Sequence, residues 1–189
     1  MKKETVLFYL SAVFFILIGI FFDKSIALWL AGNRTSFVSE LMAIVSFFGA
    51  WFSVLILCSF LFICNRERRG VVAVWLSLLA SMGVVFLLKL AVMRERPDAA
   101  LFTFTGSGFP SAHAAAVFSV LAVVSKKFPR FKWAWLFFSL LVVFSRLYLG
   151  AHYLTDVAAG SLIGYTVGLL IVMFWNRNLK KEKKTKSLK

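Results

Sequence analysis

The sequence predicts an all-α integral-membrane protein built as a bundle of six transmembrane helices. Of its 189 residues, 61% are hydrophobic and 17% are aromatic, and the mean hydropathy is +0.86. Soluble domains are not this apolar, so the composition indicates a polytopic membrane protein. Six apolar segments follow one another, each close to the roughly 20 residues that a helix needs to cross a bilayer. The length suits a single domain over residues 1–189.

The six segments differ in length and in the polar residues at their ends. The first is long for a signal peptide and no clear cleavage site follows it, so we expect a retained span. The second is long enough to tilt, and the fourth is short and begins with polar residues. Residues 25–30 are expected to form a short helix on the membrane surface. The predicted spans are residues 5–22, 37–64, 71–93, 110–125, 133–149 and 154–175.

Most of the positive charge lies at one end of the predicted bundle. The 22 lysine and arginine residues include two in residues 1–4, three in 65–70, four in 126–132 and seven in the tail 176–189. By the positive-inside rule, these segments and both termini are predicted to face the cytoplasm of a multi-pass plasma-membrane protein. We expect the net charge of +14 to reflect topology and attraction to anionic lipid, with no role in nucleic-acid binding.

Glycine spacing predicts a packing surface on the last span. Gly160, Gly164 and Gly168 recur every four residues and therefore share one helix face. Small residues at this spacing let two helices approach closely. We expect this contact within the bundle in preference to a dimer interface, and the sequence leaves the oligomeric state open. Cys58 and Cys64 fit no metal-binding spacing and no disulfide framework, so we interpret them as small apolar side chains.

The most informative polar stretch is residues 145–156, which interrupts an apolar region. His152 and Asp156 are four residues apart, so on a helix they share a face. An aspartate beside an imidazole fixes its tautomer and stabilises its cation, which prepares a histidine for nucleophilic attack. Arg146 is expected to hold an anion against the ring. The alternative is a His–Asp pair that only satisfies itself at a helix end.

Two further polar clusters fall at the same predicted membrane level, on the outward side. One runs from Lys89 to Arg96, and the other contains Ser111 and His113. The glycine-rich run before Pro110 predicts a loop that opens a helix, whose free N–H groups bind anions. Each residue alone has a simpler explanation, such as a snorkelling lysine, a serine cap or a histidine bonded to a carbonyl. Their occurrence together at one level favours a functional site.

These residue types predict phosphoryl transfer without a metal ion. Lys89, Arg96 and Arg146 suit phosphate oxygens, and the arginines bind them in a planar, bidentate manner. The two histidines, with the aspartate beside one of them, are suited to act as a nucleophile and an acid. No group of cysteines, histidines or carboxylates resembles a metal site, so we expect no metal and no cofactor. The three cations would supply the charge stabilisation that magnesium often provides.

The same residues resemble the type 2 phosphatidic acid phosphatase superfamily, which also includes vanadium haloperoxidases and bacterial acid phosphatases. Its three motifs are Lys-x6-Arg-Pro, Pro-Ser-Gly-His and Ser-Arg-x5-His-x3-Asp. Here they correspond to residues 89–97, 110–113 and 145–156, so the motifs lie within 89–156. One position departs from the pattern, because Ala112 replaces the glycine. The backbone N–H of Ala112 is retained, and only a conformation reserved for glycine would be lost.

The resemblance implies a role for each matched residue. His152 would attack phosphorus to give a phosphohistidine, Asp156 would orient it, and His113 would protonate the leaving oxygen. The residues implied to bind phosphoryl oxygens are Lys89, Arg96, Ser111, the amide of Ala112, and Arg146. Outside the motifs, we expect Arg94 either to contact a second phosphate or to pair with Glu95.

A membrane-embedded site at the outer face predicts a lipid phosphate that enters from the bilayer. Our leading expectation is a polyisoprenyl diphosphate, such as undecaprenyl diphosphate. The alternatives are phosphatidic acid or phosphatidylglycerophosphate, and then lipid A phosphate. A different class, a transporter or binding protein for lipid phosphates, would use the same cations but would not need an activated histidine.

Overall fold

The computed structural model describes residues 3–187, with side chains described for residues 3–175. Within this range the chain is helical and contains no β-strand. The side chains of the predicted basic tail, 176–189, lie outside the described part. The helices are α1 (Lys3–Gly32), α2 (Ser36–Gly49), α3 (Trp51–Cys64), α4 (Arg68–Val92), α5 (Ala112–Lys127), α6 (Lys132–Tyr148) and α7 (Leu154–Ser187), with a 3-10 turn at Pro129–Phe131 before α6.

The predicted all-helical membrane architecture is confirmed, although the number of crossings is not. Four helical segments in the described range are long and apolar enough to span a bilayer: α1, α4, Pro129–Tyr148 and Leu154–Trp175. Helices α2 and α3 meet at an angle of 64° and together correspond to the second predicted span. The fourth predicted span is α5, whose 16 residues are slightly fewer than a single crossing usually takes. Six crossings and cytoplasmic termini therefore stay predictions.

Helix α1 differs from its prediction. It continues unbroken for 30 residues, so the separate surface helix expected at residues 25–30 was wrong. One face of α1 stays buried along this whole length, because Asp23, Ala27 and Leu30 extend the stripe that begins with Thr5, Ala12 and Gly19. Continuous packing against the bundle therefore favours a single helix over a break at the membrane surface.

Helix α5 lies at the centre of the bundle. Its residues from Ala114 to Val124 are all buried, as expected for a helix enclosed by protein on every side. Helix α7 packs against it through Gly160, Gly164 and Gly168. A Cβ atom at any of the three would lie less than 3.0 Å from a backbone carbonyl oxygen in or directly before α5, that of Ser111, Ala115 or Ser119. The predicted glycine face is confirmed as a packing surface within the chain.

Three connecting segments meet at one end of the bundle: the α1–α2 turn, the long loop 93–111 and the α6–α7 turn. The guanidinium of Arg34 ties them together, with Nε donating to the carbonyl of Tyr148 at 2.7 Å and Nη1 to that of Ala99 at 2.6 Å. The amide of Leu101 donates to the carbonyl of Leu149 at 3.0 Å. This end therefore collects the three polar clusters that are far apart in the sequence.

Candidate active site

The α6–α7 turn places His152 outside a helix, where the sequence pattern had placed it on one. Helix α6 ends at Tyr148, and Gly150 reverses the chain with φ +70°. A side chain there would also collide with Arg34 and the Ala99 carbonyl, so the turn requires glycine. His152 follows in the turn, and Asp156 lies in the first turn of α7. Its carboxylate Oδ2 is 3.6 Å from His152 Nδ1. The predicted His–Asp pair is present at ion-pair distance, and Nδ1 of His152 forms no hydrogen bond within the described part of the chain.

Asp156 is completely buried and is held on both oxygens. Oδ2 accepts a hydrogen bond of 2.9 Å from the backbone N–H of Tyr153, and Oδ1 accepts one of 2.8 Å from Nη1 of Arg94. Its backbone carbonyl accepts a hydrogen bond of 3.0 Å from the amide of Ser111. Asp156 thus joins the second and third motifs, and its carboxylate has a fixed orientation beside His152.

Arg94 has partners that sequence reasoning did not anticipate. Its Nη2 lies 2.8 Å from Oδ2 of Asp23 while its Nη1 binds Asp156. This pair of buried carboxylates takes the place of the expected pairing with Glu95. Contact between Arg94 and a second phosphate stays a prediction. The change arises because Met93 adopts a left-handed conformation at the end of α4 (φ 46°), where the chain turns towards α1 and α7. The only sequence signal for Asp23 was a carboxylate within a long apolar helix.

Lys89 and Arg96 meet at the carbonyl groups of the loop 105–107. The ammonium of Lys89, in the last turn of α4, donates to the Ser107 carbonyl. Arg96 donates to the carbonyls of Gly106 at 3.1 Å and Ala151 at 2.7 Å. The structure therefore brings these two predicted phosphate-binding residues of the first motif together, next to the α6–α7 turn.

Ser111 and Arg146 provide buried donors that no described group satisfies. Arg146 is 6% exposed; its Nη1 donates to the hydroxyl of Ser46, but its Nε has no hydrogen-bond partner in the described part of the chain. Ser111 is completely buried, and its hydroxyl neither caps α5 nor finds another partner there. An unsatisfied buried polar group costs about 1–3 kcal/mol. Such groups indicate a place where a ligand completes the hydrogen bonding.

Phe104 lies beside both arginines of the site. The guanidinium carbons of Arg146 and Arg96 are 5.1 Å and 5.4 Å from the centroid of its ring. These are cation–π distances, so the ring helps to hold both guanidinium groups in place. Sequence reasoning missed Phe104, because one phenylalanine among 22 in an apolar chain carries no signal of its own.

His113 and Ala112 occupy the first turn of α5. The imidazole of His113 interacts electrostatically with Arg146, His152, Arg96 and Lys89, so both histidines belong to one cluster. Ala112 is the first residue of the helix, where backbone N–H groups have no partner within the helix and attract anions. All the predicted site residues thus lie around one region, and Arg94 joins it through the carboxylate of Asp156.

Burial and neighbouring charges set the protonation of the groups in the loops. Burial lowers the pKa of His152 to about 4; Asp156 opposes this shift, and Arg146 and Arg96 add to it. Burial also lowers the pKa of Arg96. For Arg94, burial alone would lower the pKa, but the hydrogen bonds and ion pairs with Asp23 and Asp156 raise it above its ordinary value. His152 is therefore neutral at pH 7, with a lone pair available for attack.

Comparison with known proteins gives relatives that include several lipid phosphatases. A model of the PAP2 superfamily matches residues 70–180. A lipid A 1-phosphatase from Rhizobium etli is 28% identical over 175 residues, covering 78% of this chain and 75% of the relative. The undecaprenyl-diphosphatase BcrC from Bacillus subtilis is 24% identical over 129 residues, covering 65% of this chain and 67% of the relative.

The fold has a solved counterpart. The crystal structure of a transmembrane PAP2-type phosphatidylglycerolphosphate phosphatase from Bacillus subtilis superposes with a TM-score of 0.74 at 22% identity. The match covers 94% of this chain and 98% of that one. The family match spans more than half of the chain and includes all three motifs. This chain therefore belongs to the PAP2 superfamily and is a membrane phosphatase.

Proposed function

We propose that this chain is a metal-independent lipid phosphatase that converts a polyisoprenyl diphosphate, such as undecaprenyl diphosphate, to its monophosphate at the extracytoplasmic face. The observation that carries the proposal is the pair of buried, unsatisfied donors, Ser111 Oγ and Arg146 Nε, in the cluster that also holds both histidines. A phosphoryl group accepts hydrogen bonds from each of these donors. The membrane-embedded bundle then makes a lipid the natural carrier of that phosphate.

The charges of the site match a phosphate dianion. Four cations, Lys89, Arg94, Arg96 and Arg146, stand against two carboxylates, Asp23 and Asp156, so the free site carries an excess of two positive charges before either histidine binds a proton. Of the four cations, Arg94 is directed to the carboxylates. Lys89, Arg96 and Arg146 thus supply the stabilisation of the transferring phosphoryl group.

In the first step, Nε2 of His152 attacks phosphorus. Nδ1 faces Asp156, so Nε2 is the nitrogen left for the substrate. A bond forms between nitrogen and phosphorus while the bond between phosphorus and the leaving oxygen breaks. His113 binds a proton when the phosphate dianion enters the site, and it donates this proton to the leaving oxygen, which departs on the lipid. Asp156 stabilises the positive charge that develops on His152.

In the second step, water releases the phosphoryl group. His113, now neutral, takes a proton from water as the water oxygen attacks phosphorus. The bond between phosphorus and His152 breaks, its electron pair returns to the imidazole, and inorganic phosphate leaves. Each histidine ends in its starting protonation state, so the cycle requires no further reactant.

The distribution of cations supports an outward-facing site. At the end of the bundle that holds the site, Arg34 binds two backbone carbonyls, and the remaining arginines belong to the charge cluster. The cations at the opposite end include Arg66, Arg68 and Arg130, which do not take part in the site. Because these are the charges available for the positive-inside rule, that end is assigned to the cytoplasm.

The choice of a polyisoprenyl diphosphate is supported by the similarity to an undecaprenyl-diphosphatase. A lipid A phosphate is the second candidate, because a lipid A 1-phosphatase aligns over more of the chain and at higher identity. Phosphatidic acid and phosphatidylglycerophosphate complete the set of substrates to be compared. Because Arg94 is paired with two carboxylates, we expect other groups to contribute to the recognition of a second phosphate.

The test is release of inorganic phosphate by purified protein in detergent with EDTA. Polyisoprenyl diphosphate, lipid A, phosphatidic acid and phosphatidylglycerophosphate are compared at equal mole fraction. We expect the highest kcat/KM with the diphosphate and loss of at least about 10³-fold in His152→Ala, with Glu95→Gln as the control for a loop substitution. Full turnover in His152→Ala would refute the phosphohistidine, and a preference for another lipid would refute the substrate assignment.

A further inference from the structure

The carboxylates of Asp23 and Asp156 are bridged by a single arginine. Arg94 reaches both of them at 2.8 Å, one with each terminal nitrogen. The side chain of Asp23 is 8% exposed and that of Asp156 is not exposed at all. Burying one partner of an ion pair without the other costs several kcal/mol, so each of these three groups depends on the others.

Asp23 also holds the residue that precedes Asp156. Its Oδ1 accepts a hydrogen bond of 3.1 Å from the backbone N–H of Thr155, and its Oδ2 accepts one from the hydroxyl of Thr155. Thr155 lies in the first turn of α7, where backbone N–H groups need partners from outside the helix. Asp23 therefore controls both the start of α7 and the arginine that binds Asp156.

Gly19 allows α1 to come close enough for these contacts. It lies one helical turn before Asp23. A Cβ atom at Gly19 would be 2.6 Å from the methyl group of Thr155 and 2.9 Å from Oδ1 of Asp23. The absence of a side chain at this position is thus part of the same arrangement. These contacts reach the active site from α1, which lies outside the segment matched by the family.

We propose that Asp23 and Arg94 are positioning residues for the phosphatase reaction, which hold the Asp156 carboxylate in the orientation that aligns His152. The inference rests on the proposed function, because it assigns roles within that site. Arg94 occupies Oδ1 of Asp156, and the Tyr153 amide occupies Oδ2 on the side of His152. With both oxygens engaged, the carboxylate cannot rotate away from the imidazole.

The charge of Asp23 is needed as well as its geometry. Arg94 draws electron density from Asp156 and weakens the attraction of that carboxylate for a cationic His152. Asp23 shares the positive charge of Arg94 and so restores part of this attraction. Removal of the Asp23 charge should therefore slow the step in which His152 becomes cationic, while Lys89, Arg96 and Arg146 still bind the phosphate. The effect should appear in kcat with little change in KM.

The experiment measures kcat and KM of the full-length protein in detergent for Asp23→Asn, Arg94→Gln and the double variant. Each single variant should lower kcat about 10- to 100-fold, the range that misplaced supporting groups produce, with KM within about twofold. Because the charge of Asp23 acts through Arg94, the double variant should be less impaired than the product of the two single effects predicts. Arg94→Lys keeps the positive charge but cannot place a separate nitrogen on each carboxylate, so its kcat should lie between those of Arg94→Gln and the wild type.

Two control variants separate positioning from support of the fold. Tyr9→Phe removes another hydrogen bond between α1 and α7, from Tyr9 to Thr166 at 3.1 Å, far from the site. Glu95→Gln removes a charge next to Arg94 in the sequence. Both should keep wild-type kcat, even if Tyr9→Phe lowers the melting temperature.

The outcomes distinguish this inference from the proposed function. If wild-type protein releases no phosphate, the proposed function fails. If wild-type and control proteins are active and Asp23→Asn keeps full kcat, or if the two substitutions multiply in the double variant, the positioning role is refuted. Should Asp23→Asn not be recovered in folded form, Arg94→Gln compared with Arg94→Lys decides, and equal kcat in the two would also refute it.

Discussion

At the scale of single residues, the site depends on how much water and charge surround each group. His152 is 3% exposed, and two arginines lie close enough to disfavour its cationic form. Asp156 offsets part of this effect without reversing it. The free protein therefore keeps a neutral nucleophile, and the arriving phosphate supplies the negative charge that later favours the imidazolium.

This arrangement predicts that His152 titrates near pH 4 in the absence of substrate, well below the ordinary pKa of 6.5. NMR of histidine-labelled protein is suitable because the chain has only two histidines, and the signal missing in His152→Gln identifies the residue. Asp156→Asn should move the midpoint lower still, since it removes the carboxylate that favours the cation. A midpoint at or above 6.5 would contradict the described burial.

The same pKa has a consequence for stability. Because the folded-state pKa lies below that of an unfolded chain, the unfolded chain binds more protons between about pH 6.5 and pH 4. Protonation therefore favours unfolding in this window, and the contribution of His152 to stability should decline as the pH falls through it. Above pH 6.5 the histidine is neutral in both states and the contribution is constant.

At the scale of helices, the contact between α5 and α7 determines where the second and third motifs meet. Ser111 directly precedes α5 and Asp156 lies in the first turn of α7. The amide of Ser111 donates a hydrogen bond of 3.0 Å to the carbonyl of Asp156. Close approach along the rest of both helices keeps these starting points together. The glycine face of α7 is therefore a requirement of the site as well as of the fold.

Substitution of Gly164 tests this contact. In Gly164→Ala the new Cβ would meet the backbone carbonyl of Ala115, which cannot move aside as a flexible side chain would. We expect a loss of about 1–3 kcal/mol in stability, measured as a lower melting temperature in detergent. Gly83→Ala in α4 is the matched control, because a Cβ there has nothing within 4 Å; it should melt at the wild-type temperature or above.

The helices also show what the sequence could not indicate. Periodicity and spacing predicted the glycine face and the three motifs, because these are properties of single segments. The partner of Arg94 was not predictable, because Asp23 lies 71 positions away in the sequence. The residues around either position do not indicate which helix packs against α7. The continuity of α1 was not predicted for the same reason. Its last turns are stabilised by burial against other helices, and the hydropathy of the segment itself does not indicate such burial.

At the scale of the whole molecule, the fold separates two groups of cations. The arginines near the site bind carbonyls, carboxylates or the hydroxyl of Ser46, whereas those in the loops 65–67 and 128–131 lie at the other end of the bundle. The sequence predicted this separation from charge counts alone. The helical architecture was equally predictable from composition, but the bend between α2 and α3 was not, because it follows from an extended residue at Ala50.

Cysteine labelling in intact cells tests which side of the membrane the active-site end of the bundle faces. In a Cys64→Ser background, with Cys58 buried, Thr103→Cys places a thiol at an exposed position of the loop beside the site. A membrane-impermeant maleimide should label it from outside. Arg68→Cys, exposed at the opposite end, should react only after the cells are permeabilised. The reverse pattern would place the site in the cytoplasm, and the substrate would then have to be a lipid phosphate of the inner leaflet.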